Sequence, residues 1–263
     1  MYRDRARSDV SGPAPSGTRI SRVSVPRLFV PDAAGAAVRL SIDEAHHVAH
    51  VLRLEGGDPV IVFDGRGAEW DGLIMQVGKR EVTVQLLDAR AAVPEPALAV
   101  TLAVGLLKGD AMDDVVRDAT ALGAAVIVPM VTAHGVVPRR ARGDEAVARW
   151  QRVAVASAKQ CGRAVVPEIR DVTTFAEVLR ETAPCKWICL EPEYPGSERV
   201  VVPAGADRAM LLVGPEGGWS PVEVATARLA GYHGLQLGPR VLRAALAPTV
   251  ALGRVWAAVS DAS

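Results

Sequence analysis

Two segments near the C-terminal end combine a carboxylate, two arginines and a run of glycines at short spacing. They are LLVGPEGGWS (Leu211 to Ser220) and LQLGPRVLR (Leu235 to Arg243). Glu216 can accept a proton or orient a reacting group, and Arg240 and Arg243 can stabilise negative charge or meet a phosphate. Gly217 and Gly218 stand just before Ser220-Pro221-Val222-Glu223, which spells an N-cap, a first helical residue and a capping box. Glycines there let a backbone approach a ligand without Cβ interference, although a plain tight turn would use them too.

The same loop argues against two other chemistries. A P-loop needs G-x-x-x-x-G-K-[ST], and no lysine follows Gly218, so a nucleotide-dependent enzyme holding phosphate on Gly217-Gly218 is disfavoured. No segment supplies the G-x-G fingerprint of a dinucleotide or ordinary Rossmann methyltransferase loop. His46 and His50 lie one helical turn apart, but the zinc-protease pattern H-E-x-x-H has His47 in its second position here. A polar helix face or an RNA contact suits them better than a metal. Asp113 and Asp114 suit the positive end of a helix dipole, and Asp110 reads as an N-cap. Cys161, Cys185 and Cys189 are odd in number and form no C-x-x-C pair. They read as buried small side chains in a reducing cytoplasm, with no metal.

Those residues need elements to hold them. From Pro26 to about Arg90 the chain shows short β-branched runs separated by Gly or Asp turns, predicting a small β-barrel or sandwich. One helix interrupts it, capped by Ser41 with Glu44 as a capping box and running to about Leu54. Ala91 to Ala99, with two prolines, reads as a linker. Beyond it, strands alternate with helices. ALAVTLAVGLL reads as a strand buried on both faces, and a helix capped at Asp110 carries Met112, Val115, Val116, Ala119 and Leu122 on one stripe. Gly123 stands where a left-handed C-cap belongs. AVIVPMV follows as a strand, then helices from about Asp144 to Lys159 and from Thr174, then strands WICLEP, AMLLVGPEGG and GLQLG, and a last helix from about Pro248. This alternation predicts an α/β fold with a parallel sheet. The predicted organisation is a disordered extension over 1–25, a barrel over 26–92 and an α/β domain over 98–263.

Composition bounds the partners. The 263 residues include 30 basic and 30 acidic side chains, which excludes a generally basic surface and leaves any nucleic-acid contact to a local patch. No apolar run approaches the ~20 residues of a membrane span. The N-terminal MYRDRARSD lacks the apolar core of a secretory signal.

LVGPEGGWSPVEV and LGPRVLR closely resemble the small-subunit ribosomal RNA uridine-N3 methyltransferases, the RsmE family of the SPOUT class. HHVAHVLRLEGGDPVIVFDGRG (His46 to Gly67), LLKGDAMDDVVRDATALGAAVIVPMVT (Leu106 to Thr132), Trp150 and AKQCGRAVVPEI (Ala158 to Ile169) match in the same order, so the resemblance covers nearly all the chain from Arg27. It implies a PUA-like RNA-binding β-barrel followed by a SPOUT domain with a trefoil knot, homodimerisation through that knot, and S-adenosyl-L-methionine (SAM) as cofactor. It implies that SAM lies against Leu190, Glu191 and Pro192; Leu212, Val213, Gly214, Pro215, Glu216, Gly217 and Gly218; and Leu237, Gly238, Arg240, Val241 and Leu242. The implied product is a uridine of 16S rRNA methylated at N3. Uracil N3 carries a proton at neutral pH, so a base or a neighbouring cation should help it attack. Glu216 is the candidate base, Arg243 and Arg240 the candidate cations, and Arg27, Arg53, Lys108 and Arg163 the candidate RNA contacts. The chain departs from the family where the pattern reads roughly Thr-Glu-Thr-Ala: here stands Ala244-Ala245-Leu246-Ala247. Ala245 in place of an acid leaves open a non-catalytic or retargeted RNA-binding relative.

Overall fold

In the computed structural model, residues 25–78, 81–135, 144–195 and 200–261 are described. The expected N-terminal extension therefore lies, but for Val25, outside the described residues. The first unit comprises β1 (Arg27–Phe29), β2 (Ala37–Arg39), α1 (Ile42–His46), a π-helical turn (His47–Leu52), β3 (Pro59–Phe63), β4 (Glu69–Val77) and β5 (Val82–Arg90). Its strands form one sheet in the order β1-β3-β4-β5-β2, with β1 and β3 parallel and the other pairs antiparallel. The alternation in the sequence puts Val82, Val84 and Leu86 of β5 inward against Leu28, Val48, Val62 and Ile74.

The single helix expected over 41–54 is interrupted. Ser41 Oγ accepts from the Glu44 amide at 3.2 Å, so half of the capping box forms. The Glu44 carboxylate does not return to the N-cap; it takes the Lys159 ammonium at 2.7 and 2.8 Å. After His46 the helix widens into the π turn and stops at Arg53, whose φ of 55° is left-handed. Such widened turns often mark functional positions.

The second unit comprises β6 (Ala99–Gly105), α2 (Ala111–Ala121), β7 (Val126–Val131), α3 (Asp144–Cys161), β8 (Glu168–Ile169), β9 (Thr173–Thr174), α4 (Phe175–Val178), β10 (Cys185–Leu190), β11 (Arg208–Val213), α5 (Pro221–Leu229), β12 (His233–Gln236) and α6 (Ala247–Asp261). Its seven-stranded sheet runs β12-β10-β11-β6-β7-β8, with β9 also on β7, and every pair is parallel. Parallel strands covered on both faces must be largely apolar, and β6, β10 and β11 are, with Thr101, Lys186 and Arg208 their only polar residues. Met112, Val115, Val116 and Ala119 of α2 pack with Trp150 and Ala154 of α3 and Leu252 and Val255 of α6 on one face. Gly123 ends α2 at φ +86°, with the Ala124 amide donating to Ala119 O as a left-handed C-cap requires.

The two units are tied at one junction. Arg163, read from sequence as an RNA contact, is 7% exposed there. Its Nε donates to Glu95 at 2.9 and 3.0 Å, and its Nη1 donates to Thr120 O and Ala124 O at 3.0 and 2.9 Å. Arg27 is partly buried. It pairs with Glu69 at 2.8 Å, lies 4.9 Å from the centre of the Phe63 ring and donates to Arg163 O. Arg163, expected from sequence to contact RNA, thus takes a structural role. Burying a guanidinium is unfavourable unless its donors are met; those of Arg163 are met by protein groups that RNA would have to displace, whereas Arg27 Nε is left without a hydrogen-bond partner among the described residues.

Candidate active site

Because all seven strands point one way, the loops after β10, β11 and β12 emerge on one edge, where ligands of open α/β sheets bind. A cavity of about 600 Å³ opens there, inside the usual range of ligand sites, roughly 300–1,000 Å³. Its wall takes Cys189 to Pro192 from the β10 end, Val213 to Glu216 from the β11 end, Leu237, Gly238, Arg240 to Ala245 and Ala247 from the chain after β12, and Asp110, Ala111 and Asp114 from α2.

Cross-ties hold these loops. Trp219 Nε1 donates to Cys189 O at 2.8 Å, Tyr194 OH donates to Trp219 O at 3.0 Å, and Gln236 Nε2 donates to Tyr194 O at 2.9 Å. The Ser220–Glu223 capping box is complete, and the buried Glu223 also accepts from the Ala133 amide at 2.8 Å, fixing the start of α5 against the β7 loop. Gly105 lets β6 meet the β11 loop: a Cβ there would lie 2.7 Å from Pro215.

Of the residues assigned to the ligand from sequence, Leu212, Gly217 and Gly218 do not line the cavity. Leu212 is fully buried in the core beneath it. A Cβ on Gly217 would lie 2.9 Å from His134 Cβ, and one on Gly218 would lie 2.6 Å from Glu191 Oε1, with φ already at +67°. Glycine at these two positions admits the neighbouring His134 and Glu191. Conversely, sequence reading missed Asp110 and Asp114 as wall residues. Asp110 occupies the N-cap position of α2 but makes no capping bond with its side chain, and Asp114 pairs with Arg117 at 2.7 Å.

The site's charges are unevenly met. Glu216 Oε1 accepts from the Lys108 amide at 3.0 Å, which ties the β11 loop to the β6–α2 loop. Glu191 has a buried oxygen, Oε2, without a hydrogen-bond partner among the described residues. Burial pushes its carboxyl up; its own backbone N–H opposes this and Glu193 adds to it. Burial, reinforced by Glu191 and opposed by Arg254, also raises the Cys189 thiol, which stays neutral and weakly nucleophilic. Arg240 and Arg243 are exposed, and neither guanidinium has an ion pair or hydrogen bond to a described residue. Lys108 and Arg53 are exposed, and Arg53 follows the π turn. Among the described residues no group of His, Cys, Asp and Glu is placed to hold a metal, and no helix is long and apolar enough to cross a membrane.

A parallel α/β sheet with a cavity at its carboxyl edge is thus joined to a small β unit, and comparison with known proteins shows what class of molecule this is. The RNA methyltransferase domain family matches residues 94–256, and the RNA methyltransferase PUA domain family matches residues 41–87. Ribosomal RNA small subunit methyltransferase E of Mycobacterium bovis is 33% identical, over 89% of this chain and 92% of its own length. The protein of that name from Synechocystis sp. is 32% identical, over 84% of this chain and 73% of its own. The Neisseria gonorrhoeae protein of that name, solved bound to S-adenosyl methionine, superposes with a TM-score of 0.81 at 27% identity, covering 89% of this chain and 97% of that one. The chain belongs to the ribosomal RNA small subunit methyltransferase E family.

Proposed function

We propose that this chain transfers a methyl group from SAM to N3 of a uridine in the 16S RNA of the small ribosomal subunit, in the cytoplasm. The observation that carries the reading is the pairing, around one cavity, of a buried unpartnered carboxylate oxygen on Glu191 with two uncompensated arginines. The cavity fits SAM by its size and donor set: Glu191 Oε2 would accept from a ribose hydroxyl or the ammonium, and Leu190, Pro192, Val213 and Leu237 offer apolar wall to an adenine. When bound, SAM supplies a methyl group on a positively charged sulfur, open to in-line attack.

The remaining steps fall to the protein. Glu216, braced by the Lys108 amide, takes the N3 proton or orients the uracil. Arg243, with Arg240, stabilises the charge left on the uracil, an effect worth about 10²–10³ in rate per preorganised donor. The unit over 26–92 holds RNA together with Arg53 and Lys108, and the unit over 98–263 carries the knot. Val241 and Leu246, 68% and 48% exposed beside the cavity, are apolar surface that a second copy would cover in a homodimer.

A non-catalytic reading draws on Ala245, which with Ala244 and Ala247 makes that side of the cavity apolar. Asp110 and Asp114 supply carboxylates to the same cavity from α2, so it does not lack acids. Calorimetry with SAM and S-adenosylhomocysteine tests the cofactor assignment. Saturable binding of both is expected, and the absence of binding by either at millimolar concentration rejects it.

A further inference from the structure

A second cavity, of about 710 Å³, lies between the β unit and α3, and none of the cofactor-site residues lines it. Its walls are largely apolar, with Phe29, Leu52, Val155 and Ala156 contributing. The charges on its floor are already neutralised: Lys159 pairs with Glu44, and Arg27 with Glu69. Five polar side chains reach it without a hydrogen bond or ion pair to any described residue: Asp43 on the rim, and His47, Gln151, Arg152 and Gln160. Two amides, an imidazole and a guanidinium around an apolar hollow form an unusual set. Amides can pair with the polar edge of a planar heterocycle, ring and guanidinium faces can stack on it, and the apolar wall favours its removal from water.

We propose that this interdomain cavity holds an unpaired nucleobase of the RNA substrate, a second nucleotide apart from the one methylated. This rests on the reading that the substrate is RNA. Asp43, on the rim, is the one carboxylate there outside those pairs, and it leaves little net positive charge; the site therefore recognises a base more than a phosphate. Phosphate contact falls to Arg53, exposed and next in the chain to Leu52 in the wall. The π turn has a use here, because it keeps Val48 in the core while His47 and Leu52 both reach the cavity. One cavity for the reacting base and one for a neighbour would fix the RNA at two points, and the Glu44–Lys159 ion pair holds the β unit and α3 in place around the second.

Small-subunit RNA carrying 4-thiouridine, irradiated in complex with the full chain, tests this directly. Crosslinks are expected on the peptides holding His47 and Gln151 to Gln160, and they should disappear in Ala156→Trp, which fills the hollow from an exposed position. In steady-state assays Arg152→Glu should raise KM for small subunits about tenfold, the loss of one stacked base, with kcat and SAM affinity unchanged. Crosslinks confined to other peptides, or surviving at full strength in Ala156→Trp, overturn the site. Crosslinks at α3 from a chain that methylates no subunit would leave this site standing and remove the proposed activity instead.

Discussion

Arginine plays opposite parts at the two ends of this molecule. At the junction of the units, Arg163 is buried and meets Glu95 and the Thr120 and Ala124 carbonyls, with Arg27 partly buried beside it against Glu69. At the cavity rim, Arg240 and Arg243 are exposed and meet no described residue. A buried guanidinium is tolerated only with its donors satisfied, so Arg163 belongs to folding. The rim arginines stay solvated until a ligand arrives, and their charge remains available to a reaction.

The contrast can be broken at either end. Arg243→Ala should lower methyl transfer by about 10²–10³, with the unfolding midpoint unchanged; a shift in stability with full turnover would reverse its assignment. Arg163→Ala should do the converse. Removing it strands Glu95, which is about one-third exposed, so a loss near the low end of the range for buried pairs, about 3 kcal/mol, is expected in urea denaturation. SAM affinity should be retained below the transition; an unchanged midpoint would show that the pair is merely superficial.

Much of this was legible because it is local. The Ser220–Glu223 and Thr174–Glu177 boxes form as their three-residue spacing predicts. The Ser41–Glu44 box has the same spacing and only half forms, because Lys159, 115 residues away, claims the carboxylate. Arg163 was misread for the same reason: Glu95 lies in the linker, and nothing in the adjacent sequence points to it. Gly217 and Gly218 were read as ligand-facing when their neighbours are His134 and Glu191. The short β8 and β9 gave no periodic signal, being two residues each. Spacing along the chain specified the elements and the loops at the sheet edge; which charges are neutralised depended on contacts made across the fold.

Two carboxylates sharpen the comparison further. Glu191 is pushed up by burial, so its ionised form destabilises the folded protein at pH values above its ordinary range. Glu191→Gln should therefore raise the unfolding midpoint at neutral pH while weakening SAM binding about tenfold, the scale of one charged hydrogen bond. Tighter SAM binding in that variant would contradict the anchoring role. Glu177 is the opposite case. Hydrogen bonds from the Thr173 hydroxyl, the Thr174 amide and the Thr174 hydroxyl draw it from 4.5 to about 2. Its contribution is present above the ordinary carboxylate value and is lost as pH falls through about 2. Wild type and Glu177→Gln should differ slightly in stability at pH 5 and converge towards pH 2, as followed by circular dichroism; a gap that persists at pH 2 would refute the linkage.

The central claim is tested most directly on the substrate itself. Small subunits purified from a strain lacking this methyltransferase should be incubated with the purified chain and SAM, and their RNA digested for nucleoside mass spectrometry. One N3-methyluridine per subunit is predicted, blocked by Arg243→Ala. Unmethylated RNA from a chain that binds SAM, or a methyl group on any atom other than uridine N3, would contradict it.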